Sequence, residues 1–193
     1  MTPPRSTTHE DKLHADVSSV LRTWAAPELG QSALREAYLG FLAARPDATQ
    51  RACQPGHITA SALVLSADQR SVLLTLHPRI GRWVQLGGHC EPEDPTIAAA
   101  ALREATEESG IPGLFIDPSP VHLDVHPLTC SLGLPTRHFD IRFLALAPVG
   151  AVPAISSESD DLRFWPVDAL PPDCDEGVRA AMAAALARRS HGL

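Results

Sequence analysis

Residues 87–111 read GGHCEPEDPTIAAAALREATEESGI. Two adjacent glycines, a short acidic stretch, an alanine-rich run and a block of charge ending at a glycine follow in that order. The run from about Thr96 to Ser109 has few helix breakers and many alanines, so the spacing predicts one helix there. Ala98, Ala101, Leu102 and Ala105 recur at helical spacing and form a narrow apolar stripe. Small residues on that stripe would let the helix lie close against a sheet. Gly110 is the expected stop, because glycine readily takes the left-handed conformation that ends helices.

Glu104, Glu107 and Glu108 stand three or four residues apart and are neighbours on the helix surface. Three carboxylates in one place repel each other. A hard divalent cation removes that penalty, and Mg²⁺ takes carboxylate and water oxygens together with substrate phosphates. Attack of water on phosphorus builds charge on the non-bridging and leaving oxygens, which a bound cation neutralises. Gly87 and Gly88 have no side chains, so their backbone can approach a metal or phosphate closely. A run Arg-Glu-x-x-Glu-Glu taken alone is also what a solvated, salt-bridged helix face looks like. The glycine pair before it and Gly110 after it favour the functional reading.

The stretch resembles the Nudix box, G-x5-E-x7-R-E-U-x-E-E-x-G-U with U a bulky aliphatic. The resemblance implies an α/β/α sandwich with a mixed sheet and metal-dependent hydrolysis of a substituted diphosphate. It places Glu104, Glu107 and Glu108 at the metal-binding positions, with Mg²⁺ or Mn²⁺ as the cofactor. Gly87 falls at the position that offers a carbonyl ligand, and Arg103 at that of the residue orienting the glutamates. Arg103 can also reach Glu107 one helical turn on. One part departs from the pattern. Five residues separate Gly88 from Asp94 rather than from a glutamate, and eight rather than seven separate Asp94 from Arg103. The acid of this lengthened segment is either Asp94 or Glu93.

The chain has 193 residues and suits one domain with an appendage. We read 1–50 as an N-terminal helical extension and 51–193 as the hydrolase domain. The formal net charge of −7 argues against a nucleic-acid polymer as partner, since phosphate backbones select basic surfaces. No apolar run approaches a membrane span, and MTPPRSTTHEDK lacks the apolar centre of a signal peptide, so the cytoplasm is expected. Four scattered cysteines without a Cys-x-x-Cys read as reduced thiols. Nine histidines are many; His122, His126 and Cys130 form a spaced set, although no pair has zinc-finger spacing.

Apolar residues at helical spacing predict helices over 9–24 and 31–44, closed by Pro27 and Pro46, as a hairpin for packing or for a homodimer. Ile58–Leu65, Val72–Leu76, Arg82–Leu86, Leu114–Ile116, Val121–His126, Arg137–Leu146 and Leu162–Val167 read as strands, and Asp173–Arg189 as a last helix. The resemblance extends to Trp83 before the box and to Ser157–Phe164, a loop that in relatives often supplies one more acid. Glu158 is the candidate ligand or general base there. His122, Asp124 and His126 alternate onto one face, as do His138, Asp140 and Arg142. Turned into a cleft, these faces and Trp83 would hold substrate, with Arg142 as phosphate partner and His126 beside it. Turned outward they are an ordinary polar sheet face, the reading the residues favour by a small margin. Relatives that cleave ADP-ribose often carry a proline where Pro127 stands, sixteen residues past Ile111. The expected partner is therefore a nucleoside diphosphate derivative such as ADP-ribose. Clearance of oxidised nucleoside triphosphates and a non-hydrolytic nucleotide-binding module are the alternatives.

Overall fold

The computed structural model describes residues 9–129, 133, 135–155 and 159–190. Helices α1 (His9–Thr23) and α2 (Leu29–Ala44) come first. Strands β1 (His57–Leu65), β2 (Ser71–His77), β3 (Arg82–Val84) and β4 (Leu86–His89) lead into α3 (Ile97–Ser109). Then follow β5 (Phe115–Ile116), β6 (His122–Thr129), β7 (Pro135–Leu146), β8 (Asp161–Pro166) and α4 (Glu176–Ser190).

The sheet is mixed. β1 runs parallel to β7 over nine residue pairs, from His57 beside His138 to Leu65 beside Leu146. The other pairings are antiparallel: β2 with β1, β3 and β8, β4 with β1, and β5 and β6 with β7. Every residue of β1 is buried, as expected of a central strand covered on both faces. Ile58 and Ala60 face one apolar cluster with α1, α2 and α3, and Ala62 and Val64 meet Ala105 of α3. On the other face Leu63 and Leu65 pack with Leu144 and with Val178, Ala181 and Met182 of α4. This is the α/β/α arrangement expected from the resemblance.

The hairpin joins the same core as the sheet. Leu13, Val17 and Leu21 of α1 and Tyr38 and Leu42 of α2 are buried with Ile58, Leu123 and Phe143. Gln31 pins α2 to β6: its Nε2 donates to the Leu123 carbonyl at 3.0 Å and its Oε1 accepts from the Leu123 N–H at 2.7 Å. Tyr38 reaches the Asp124 carbonyl at 2.6 Å.

Element ends shift by up to three residues from the sequence expectation, and two of the differences have a clear physical reason. The single strand Arg82–Leu86 is two strands meeting at Gln85, and the Gly-Gly loop is strand β4, paired with β1. The reason is steric. Gly87 has φ of 152°, and a Cβ there would lie 2.3 Å from the Ser61 Cβ. Glycine is what allows β4 to come this close. The last helix starts at Glu176 rather than Asp173, because the Asp175 side chain accepts from the Gly177 N–H at 2.8 Å and caps it.

Candidate active site

Helix α3 is set down firmly. Thr96 caps it by accepting from the Ala99 N–H at 3.1 Å, and Gly110 closes it with φ of 64°. Its buried face is wider than the predicted stripe, since Ile97 and Ala100 are also fully covered. The opposite edge of α3 carries the charge, and β4 runs alongside.

Arg103 organises that edge. Its Nε and Nη2 donate to the two Asp94 oxygens at 3.0 Å each, and Nη2 also donates to the His89 carbonyl at 2.9 Å. Nη1 donates to Glu104 at 3.1 Å and to Glu107 at 3.4 Å. Glu91 lies at 3.7 Å. Of the two candidate acids in the lengthened segment, Asp94 meets Arg103: its side chain is 5% exposed and also accepts from the Glu91 N–H, whereas Glu93 is exposed. The acid of the lengthened segment that folds back onto the arginine is therefore Asp94.

One guanidinium among four carboxylates within 4.0 Å leaves the region negative. Burial, ahead of the opposing pull of Arg103, pushes the Glu104 carboxyl above its ordinary range. Gly88 makes room for this carboxylate, since a Cβ there would sit 2.7 Å from Glu104 Oε2. Glu108 Oε2 accepts from the Gly87 N–H at 3.1 Å. Glu104 beside Gly88 and Glu108 on the Gly87 N–H offer carboxylate oxygens of the kind Mg²⁺ or Mn²⁺ takes, with Glu107 further out on the same edge; the three carboxylates do not all lie within 4.8 Å of one another.

The polar sheet face proves to point inward. Asp140 accepts from Ser61 Oγ at 2.8 Å, Thr59 Oγ1 at 3.1 Å, Gln85 Nε2 at 3.2 Å and Arg142 Nε at 2.9 Å. Arg142 also donates to Asp124 at 3.0 Å. Asp140 and Arg142 are each 2% exposed. The solvated face favoured from the sequence is therefore corrected. Alternation assigned these residues to a shared face, but only the packed layers decide which way that face turns. Arg142 carries an internal ion pair, with α4 directly above it at Gly177. Trp83 is 5% exposed, packs edge-on against Trp165 and has the Arg163 guanidinium over its ring. The His126 side chain remains 43% exposed, and its Nδ1 lies 2.7 Å from Asp124, which raises its affinity for a proton.

Glu158 and Cys130 lie outside the described residues. The spaced set His122, His126 and Cys130 is not the histidine group the fold assembles. His122 is held by Gln31 instead, at 3.1 Å. His57, His89 and His138 come together on the inward polar face, a grouping that strand spacing alone did not suggest. Burial, followed by neighbouring positive charge, lowers the His89 imidazole to about 4 and that of His138 to about 3.

A mixed sheet between helices, with a Gly-Gly strand feeding a glutamate-bearing helix, defines a family of hydrolases acting on diphosphates. The chain belongs to the Nudix family: the NUDIX domain model matches residues 55–186. A search of curated proteins finds no significant match. Among solved structures, the C. elegans Ap4A hydrolase binary complex has 17% identity and a TM-score of 0.55, covering 69% of this chain and 98% of that one. The MutT protein from Methanosarcina mazei Go1 has 17% identity and a TM-score of 0.55, covering 72% and 97%. The NUDIX domain of Shewanella oneidensis NrtR complexed with ADP ribose has 19% identity and a TM-score of 0.51, covering 72% and 92%. At these identities the likeness is one of fold. Among the described residues, no helix is long and apolar enough to cross a membrane.

Proposed function

We propose that this Nudix hydrolase cleaves a nucleoside diphosphate derivative by water attack on phosphorus, with an ADP-ribose-like compound as substrate. The observation that carries the reading is the Arg103 clamp, which holds Glu104 beside Gly88 and reaches Glu107 one turn on. Glu104, Glu107 and Glu108, with the Gly87 carbonyl, would hold Mg²⁺ or Mn²⁺. The cation supplies charge neutralisation at the phosphoryl oxygens and a more acidic bound water. Arg103 keeps the carboxylates in place without itself meeting substrate. His126, the open member of the polar face, takes the substrate contact; Arg142 and Trp83 are buried. Pro127 in β6 and the ADP-ribose complex of the NrtR domain support the substrate class. The alternative is clearance of oxidised nucleoside triphosphates.

A panel of nucleotide anhydrides with Mg²⁺, and identification of the products, tests both readings. ADP-ribose should yield AMP and ribose 5-phosphate, whereas triphosphate clearance would release pyrophosphate. Turnover should vanish in excess chelator and return with Mg²⁺ or Mn²⁺. Undiminished turnover under chelation would remove the carboxylate site from the reaction.

Glu158 is the proposed general base, the role that the resemblance gives its position. Glu158→Gln should therefore slow hydrolysis more than Asp160→Asn. Equal rates for the two variants against one confirmed substrate would return the base to the helix glutamates.

A further inference from the structure

We propose a second metal site, for Zn²⁺ or a similar nitrogen-preferring ion, formed by His57, His89 and His138 on the sheet face opposite α3. The three residues come from the start of β1, the end of β4 and the first half of β7. Register brings them together: His57 lies beside His138, and His89 opposite Thr59. Their ring centroids form a nearly equilateral triangle with sides of 5.0, 5.0 and 5.1 Å. One nitrogen from each ring lies within 4.8 Å of the other two. Among the described residues, no other group of three histidines, cysteines or acids meets that condition.

A second observation points to a ligand. His57 is 1% exposed, and its Nε2 has no hydrogen-bond partner among the described residues. Its Nδ1 faces the Cys53 carbonyl at 3.4 Å. A carbonyl only accepts, so the ring proton belongs on Nδ1 and Nε2 keeps a bare lone pair. A backbone carbonyl fixing the tautomer in this way is the usual support of a metal-binding histidine. The Nε2 of His138 is likewise buried and unpartnered. Buried lone pairs without donors are costly in a folded protein. An ion with affinity for imidazole satisfies all three rings at once.

The size is suitable. Zn–N bonds of about 2.0–2.1 Å in a tetrahedron place nitrogens about 3.3–3.4 Å apart. The nitrogens, now within 4.8 Å of one another, would close in by at most about 1.4 Å. Three imidazoles leave a fourth position for water or a substrate oxygen. His126 is the nearest further imidazole, its ring 5.3 Å from that of His138, and stands outside the triangle. Donor chemistry separates the two sites: imidazoles suit Zn²⁺, Co²⁺ or Ni²⁺, while the carboxylates of α3 suit Mg²⁺ or Mn²⁺. They are also close. Gly88 turns toward Glu104 and the next residue, His89, toward the opposite face, so β4 touches both.

The test uses the full chain stripped of metal and titrated calorimetrically with Zn²⁺ in the presence of excess Mg²⁺. One Zn²⁺ per chain is expected. Co²⁺ should give the intense visible bands of a four-coordinate ion. His57→Gln and His138→Gln should each weaken Zn²⁺ binding at least about 100-fold, more than the loss of a supporting group costs. Glu104→Gln with Glu107→Gln should leave it unchanged while abolishing hydrolysis, which separates this proposal from the assignment of the carboxylate site. Thermal melting confirms that each variant is folded, and His89→Gln serves if one of the others is not. Absence of one-to-one binding in the wild-type chain, unaltered affinity in a folded histidine variant, or loss of Zn²⁺ with the glutamates would each overturn the site.

Discussion

Glu107→Gln and Glu108→Gln should each lower kcat by at least ~10²-fold at saturating Mg²⁺, with the fold intact. Under the proposed assignment, replacing a charged metal ligand by a neutral amide weakens the charge stabilisation that the cation would provide in the transition state, an effect of several kcal/mol. The fold survives because neither residue lies on the buried face of α3. The Glu107 side chain is 61% exposed, and its link to Arg103 is long at 3.4 Å, so its removal costs little stability. Glu108 accepts from the Gly87 N–H, and a glutamine oxygen can accept in its place. Steady-state kinetics with thermal melting decide the matter. Near-wild-type rates in both variants would make the charge block a solvated salt-bridge face.

Arg103→Met should have the largest effect on stability, about 3–5 kcal/mol, the usual cost of removing one partner of a buried ion pair. Asp94 would lose both guanidinium contacts while its side chain, 5% exposed, stayed covered. For a chain of this size each kcal/mol moves Tm by about 2–4 °C, so a fall of roughly 6–20 °C is expected. Arg103→Lys should recover only part. A single ammonium cannot span Asp94, the His89 carbonyl and Glu104 together, as the planar guanidinium does. Metal affinity should fall in both variants, because Glu104 loses the guanidinium that holds it beside Gly88 and Glu107 loses its link to the same group. A Tm change below about 2 °C in Arg103→Met would mean that Asp94 finds other partners and the clamp is not structural.

Much of this was readable along the chain. The span of α3, its stop at Gly110 and its carboxylate edge are local, set by propensity and by three- and four-residue spacing. The hairpin helices were readable for the same reason, from apolar periodicity. Gly87-Gly88 read as a loop because glycines usually mark one. Their place in β4 depends on Ser61, a partner 26 residues earlier. The Asp94 or Glu93 alternative was open because counting along a lengthened segment cannot say which acid folds back onto Arg103.

By itself the sequence determined the helix, its glutamates, the strand Ile58–Leu65 and the family they indicate, since these depend on neighbours close in the chain. Only the tertiary structure decided that the hairpin shares the core of the sheet, that the face bearing Asp140 and Arg142 turns inward, and that His57, His89 and His138 meet. The reason is that strand pairing joins residues far apart in sequence. His57 and His138 are adjacent only because β1 and β7 run parallel in one particular register, and a shift of one residue would send one of them to the other face.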